Sequence, residues 1–126
     1  MDDEGCRRNV ALALRRGLRS CGWAPKRTGQ LAIVGSGPSV SDYLDELKAW
    51  PGEIWAINGA YRFLLDEGVH VHAFVGLDPV PGLREYVTVR GKHVSYLLSS
   101  VCDPCVFDEL AGEDVWLWHS KGYEYP

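Results

Sequence analysis

The stretch Leu31-Ala32-Ile33-Val34-Gly35-Ser36-Gly37-Pro38-Ser39 decides the fold class. Four apolar residues read as a short buried strand. A small glycine-bearing turn follows, and then a segment from about Ser41 to Ala49 whose spacing predicts a helix. A strand feeding a helix through such a turn leaves unpaired backbone N–H groups, which together with the helix dipole favour an anion such as phosphate. A tight connection with no ligand is the plain alternative.

Working outward, the same pattern repeats. Val40, Leu44 and Leu47 give the first helix an apolar face, Ser39 with Asp42 reads as a capping-box-like start, and Pro51-Gly52 ends it. Glu53–Ile57 is the second predicted strand. Asn58-Gly59 turns into a helix carrying Tyr61, Leu64 and Leu65, with Gly68 just past its end. Val71–Leu77 is the third strand and stops at Asp78. The proline-rich Asp78–Gly82 leads to a helical turn near Leu83–Val87, then a strand at His93–Leu98, a helix at Cys105–Leu110 and a strand at Asp114–Trp118.

Strands alternating with helices in this way predict an α/β fold: a doubly wound, mainly parallel, Rossmann-like sheet of about five strands in three layers. The near-continuous apolar runs fit a sheet covered on both faces.

The chain has 126 residues, 46% hydrophobic and 24% charged, enough for one domain with a real core. We divide it into a basic amphipathic N-terminal helix, residues 1–27, and a nucleotide-binding domain, residues 28–126. Net charge is −4, but residues 1–27 hold seven of the thirteen basic groups against three acids. The acidic remainder argues against nucleic acid as a partner. Val10, Leu14 and Leu18 supply the apolar stripe of the N-terminal helix, with Gly22 to Gln30 as the linker behind it. No apolar run is long enough to span a bilayer and no secretory signal opens the sequence, so the expectation is a cytoplasmic protein without a membrane partner. Cys102-Asp103-Pro104-Cys105 is a lone CxxC lacking a second ligand pair, and Asp103-Pro104 reads more simply as a helix cap with proline at the first helical position.

In an open parallel sheet, ligands bind beyond the carboxyl ends of the strands, where strand order reverses. The predicted ends carry Gly35, Ser36, Gly37, Pro38 and Ser39 after the first strand, Asn58 and Gly59 after the second, and Asp78 after the third. Ser99-Ser100 and His119-Ser120 follow later. Each has a structural reading: Asn58 as a helix cap, Asp78 as the opening of a proline turn. Their convergence on one edge favours a nucleotide. The loop is not a Walker A motif, since no Gly-Lys-Ser/Thr closes it. It also fails as a dinucleotide fingerprint, because Val40 stands where the third small residue belongs and Asn58 replaces the ribose-binding acid.

The segments Ile33-Val34-Gly35-Ser36-Gly37-Pro38-Ser39-Val40, Ala56-Ile57-Asn58-Gly59-Ala60 and Phe74-Val75-Gly76-Leu77-Asp78-Pro79 together resemble the MptE-like family. That family includes archaeal 6-hydroxymethylpterin diphosphokinase and the motility accessory factors, and it is similar in fold to bacterial sialyltransferases. The resemblance covers about Leu31 to His119. It implies a transferase whose nucleotide is ATP or a CMP-sugar and whose acceptor is a small molecule. Gly35 to Ser39 would form the phosphate-side loop, Asn58 and Gly59 the nucleotide-contacting turn, Asp78 the Mg²⁺-holding acid, and His119 a group beside the substrate. No residue is assigned as general base. Relatives continue past this point with a further glycine-rich segment and an acid-bearing strand, so an incomplete domain is expected. The rival reading is a non-catalytic scaffold with Trp116-Leu117-Trp118 and Tyr123-Glu124-Tyr125 as its interface.

Overall fold

The structure is a computed structural model that describes residues 2–22 and 26–120. A helix α1 (Asp3–Leu14) opens the chain, capped by the Asp2 carboxylate, which accepts from the Gly5 amide at 2.8 Å. Six strands follow: β1 (Arg19–Ser20), β2 (Leu31–Val34), β3 (Glu53–Ile57), β4 (Ala73–Gly76), β5 (Ser95–Ser99) and β6 (Asp114–Trp118). Between them lie α2 (Leu44–Lys48), α3 (Gly59–Asp66) and α4 (Pro104–Glu109), with 3-10 segments at Pro38–Tyr43 and Pro81–Val87. The strands form one wholly parallel sheet in the order β1-β6-β5-β4-β3-β2. The α/β class expected from the sequence is what the chain adopts.

The winding is uneven. From β2 to β6 every strand is laid beside its predecessor, and only the passage from β1 to β2 runs back across the sheet. Right-handed crossovers stepping in one direction stack their helices on one face. Accordingly α1 packs on α4, α4 on the 81–87 segment, and that segment on α3. Register puts Val34 beside Ala56, Ala56 beside Phe74, Phe74 beside Tyr96 and Tyr96 beside Val115 on this face. These residues belong to one buried cluster with Tyr61 and Leu64 of α3 and with Val106 and Phe107 of α4. Tyr61 and Tyr96 are fully buried, and their hydroxyls share a 2.7 Å hydrogen bond while Gly91 N–H donates to Tyr61 at 3.0 Å. That pairing satisfies phenols which would otherwise cost heavily in an apolar core.

The opposite face is also apolar, as unbroken hydrophobic runs require. Ile57, Val75, Leu97 and Trp116 form a continuous row across four strands, half-buried, and Arg19 lays its guanidinium over Trp116 at 3.9 Å from the ring centroid.

Several local expectations are corrected. Residues 41–49 do not form one helix: the chain leaves the glycine loop as a 3-10 segment, and only Leu44–Lys48 is α-helical. No side chain caps its start, and Ser41 instead donates to the Pro38 carbonyl at 3.1 Å, so the Ser39–Asp42 capping box does not form. Pro38 supplies no amide and fixes φ, which favours a tight first turn. The N-terminal helix ends at Leu14, leaving Leu18 beyond it, and Arg19–Ser20 adds an unexpected sixth strand against β6. The fourth expected strand begins at Ser95 instead of His93, whose φ of 55° is left-handed. Asp103 caps α4 as expected, accepting from the Cys105 amide at 3.0 Å. Part of the expected linker (Trp23, Ala24 and Pro25) and the Tyr123-Glu124-Tyr125 tail lie outside the described residues. Among the described residues no helix is long and apolar enough to cross a membrane.

The return to β2 depends on a close backbone approach at Gly52. A Cβ there would stand 1.8 Å from the Gln30 carbonyl oxygen, with no flexible side chain to yield. Gly52→Ala is therefore expected to lower the urea-unfolding free energy by about 2 kcal/mol. Gly37→Ala, where a Cβ meets nothing within 4 Å, should change it by less than about 0.5 kcal/mol.

Candidate functional site

Because β2, β3 and β4 are successive neighbours, the turns leaving their carboxyl ends are neighbours too. The site does not lie at an interior reversal of strand order: β2, where the winding changes direction, is the edge strand. What replaces the expected crevice is a row of adjoining turns.

The central residue is Asn58. It leaves β3 with φ 49° and ψ −122°, a conformation that favours glycine and is strained in any residue with a side chain. The strain is held by three bonds. Its backbone N–H donates to the Val75 carbonyl at 3.1 Å, its Oδ1 accepts from the Leu77 amide at 3.2 Å, and its Nδ2 donates to Asp78 Oδ2 at 3.2 Å. The side chain thus ties the turn after β3 to the turn after β4, and it does not cap α3. A second tie comes from α1: the buried Asn9 amide donates to the Val101 carbonyl at 2.9 Å and to the Pro79 carbonyl at 3.5 Å, bracing the turns after β5 and β4.

Beside this pair lies a cavity of about 320 Å³ lined by Gly35, Ser36, Gly37, Pro38, Val40, Ser41, Gly59, Ala60 and Phe63. Its volume is at the lower end for small-molecule sites. Gly35, Ser36, Gly37 and Pro38 thus share one wall, and Gly59 and Ala60, whose amides begin α3 and have no intrahelical acceptor, form the other. Gly59 has a second reason to lack a side chain, since a Cβ would come within 3.3 Å of the Tyr86 ring.

The structure does not gather every expected residue. Neither Asn58 nor Asp78 lines the cavity: Asn58 directly precedes the lining Gly59, and Asp78 is linked to it through Asn58. Ser39 faces a different groove, with Tyr43 and Trp50. His119 stands after β6, separated from β4 by β5 and so roughly 10 Å along the edge. It is exposed, and its Nδ1 shares a 2.9 Å hydrogen bond with the buried Ser100 hydroxyl. Val40, Ser41, Ala60 and Phe63 line the cavity without standing among the expected site residues. Phe63 could have been found, because residues 59, 60 and 63 share one helical face behind the Asn58 turn.

For a metal, the described residues hold no group of three or more ligating side chains. Asp78 is exposed and offers one carboxylate, already bonded to Asn58 on one oxygen. That donor set fits an ion carried in by phosphates, since Mg²⁺ uses one or two protein carboxylates and keeps its other ligands as water and phosphate oxygen. The surroundings of the CxxC thiols hold them away from thiolate. Burial pushes Cys102 up to about 12, and burial followed by the neighbouring Asp103 pushes Cys105 up to about 11, so both stay protonated at neutral pH.

Comparison of the chain with family models, curated proteins and solved structures returned no match.

At position 58 the backbone conformation reverses the usual ranking of small residues, so Asn58→Gly should be more stable than Asn58→Ala by about 1–2 kcal/mol in urea unfolding. The reverse order would deny the strain.

At the opposite edge, His70 packs edge-on against His72 with ring centroids 4.4 Å apart. Its pKa is lowered from 6.5, by desolvation first and then by His72 and His93. A histidine depressed in the folded state stabilises the fold above its unfolded pKa and loses that contribution as pH falls. Stability should accordingly decline below about pH 6.5, and His70→Asn should flatten the decline.

Proposed function

We propose that this chain is a nucleotide-binding transferase domain of the MptE-like kind, acting in the cytoplasm on a small-molecule acceptor. The observation that carries the reading is the strained Asn58 turn, bonded to Asp78 and adjoining a cavity between a glycine-rich loop and the start of α3. Backbone strain of this kind persists where a site requires a particular side-chain position.

In this reading the phosphate side of the nucleotide lies against Gly35, Ser36 and Gly37, whose small residues allow close backbone approach, with the Ser36 hydroxyl as a further donor. The Gly59 and Ala60 amides supply two more hydrogen bonds to anionic oxygen. Asp78 would hold a Mg²⁺ ion carried in by the nucleotide, which would supply neutralisation of phosphate charge. Asn58 fixes the Asp78 carboxylate toward the phosphates and aligns the two turns. Catalysis of this type is positioning and charge stabilisation, with little covalent work for the protein.

In the diphosphokinase version a pterin hydroxyl attacks the β-phosphorus of ATP, the α–β bridging P–O bond breaks, AMP leaves, and the hydroxyl proton passes to solvent. In the glycosyltransferase version the same donors hold the departing phosphate of a CMP-sugar. A scaffold role is favoured by one observation: His119 is tied to Ser100 after β6 and stands two strand positions from the Asn58–Asp78 pair.

Titration calorimetry with ATP and with CMP, each with and without Mg²⁺, separates the three. Mg²⁺-dependent ATP binding supports the diphosphokinase, and Mg²⁺-independent CMP binding the glycosyltransferase. Asp78→Ala should weaken ATP binding in Mg²⁺ by about tenfold or more, while the lost Asn58 bond lowers folding stability by only about 1 kcal/mol and leaves the protein folded. Folded protein that binds neither nucleotide at millimolar concentration would overturn both enzymatic versions.

A further inference from the structure

The β2 strand is the edge of the sheet: it pairs with β3 on one side, and among the described residues no strand lies on the other. An edge strand presents a row of unpaired backbone donors and acceptors, and proteins normally blunt it with charge, proline, a bulge or a cover. Leu31-Ala32-Ile33-Val34 carries no charge and no proline. Its side chains leave apolar surface open on both faces. Leu31 is 45% and Ile33 61% exposed on the face away from the helices. On the helical face, a groove of about 250 Å³ runs along the same strand, bounded by Ala32, Val34, Tyr43, Glu46, Leu47 and Trp50. Tyr43 is exposed there, and the buried Trp50 indole N–H has no acceptor among the described residues.

We propose that the β2 edge binds an extended peptide segment of a partner protein, which adds to the sheet as a seventh strand beside β2. The backbone row selects an extended occupant, because only a strand can meet donors and acceptors spaced along an edge. Alternating side chains of that strand would cover Leu31 and Ile33 on one face and enter the groove against Tyr43 and Leu47 on the other. Charge selects its chemistry. Glu46 lines the groove and Asp42 and Asp45 are exposed on the same segment against the single Lys48, while Arg27 before the strand already faces Glu53 at 3.8 Å, so the occupant is apolar at its centre and basic at its ends. The same charges disfavour a second copy of this chain, since a two-fold β2–β2 pairing would bring two such acidic segments together. This surface is distinct from the Asn58–Asp78 turns, and the proposal does not rest on the nucleotide reading.

Fluorescence anisotropy with labelled, terminally blocked heptapeptides tests it. The probes are Lys-Val-Thr-Val-Thr-Val-Lys, its glutamate-ended counterpart, and a version with both threonines replaced by proline. The lysine-ended peptide should bind about tenfold or more tightly than the glutamate-ended one, and the proline version should not bind. Glu46→Lys should reverse the preference. Ile33→Asn should weaken both peptides without shifting the melting temperature, since Ile33 is largely solvent-exposed. Absence of lysine-ended binding at millimolar peptide, equal binding of the proline version, or indifference to Glu46→Lys would each overturn the proposal. A concentration-dependent dimer in sedimentation that Ile33→Asn dissolves would assign the edge to a second copy instead, and would equally overturn it.

Discussion

One carboxamide organises the carboxyl edge of this sheet. The Asn58 side chain reaches from the turn after β3 to the Leu77 amide and the Asp78 carboxylate after β4. It does so from a backbone conformation that disfavours every residue except glycine. Strand order makes the reach possible. With β3 and β4 adjacent and parallel, the two turns exit side by side, and a short side chain spans them. Asn9 repeats the device from beneath, pinning the next pair of turns. The edge is thus preorganised by buried or short amide links and not by a long helix dipole, for the glycine loop opens onto a 3-10 segment followed by only five residues of α-helix.

Much of the fold was legible in the sequence because its signals are local. Apolar runs marked β2, β3 and β6 at their observed bounds, and Asp103-Pro104 marked the start of α4. Features that depend on tertiary context were not legible. Arg19–Ser20 is a strand only because β6 offers it a partner, and no two-residue segment announces that in composition. The helix expected over 41–49 had its apolar spacing, but Pro38 and the Ser41 bond to its carbonyl tightened the first turn. Alternation of strand and helix gave parallel pairing, yet it did not give the order of strands. For that reason the place where the winding turns back, β2 at the sheet edge, was not legible.

The candidate site divides along the same line. Gly35 to Pro38 and Gly59 meet around one cavity because they end and begin adjoining elements. Asn58 and Asp78 meet because β3 and β4 are neighbours. His119 resembles them only in standing at a strand end, and two strand positions separate it from Asp78. Equivalent positions in a repeated motif are near one another only when the strands themselves are adjacent. Strand β2 consequently carries two surfaces, the glycine loop at its carboxyl end and the unpaired edge along its length.

The central claim is that the turns after β2, β3 and β4 act as one anion-holding unit. An NMR titration of the amide signals with a nucleoside monophosphate tests it most directly. Gly35, Gly37, Gly59 and Leu77 should shift together and report a single dissociation constant. Movement of Gly35 alone, with Gly59 and Leu77 unchanged at saturation, would contradict it.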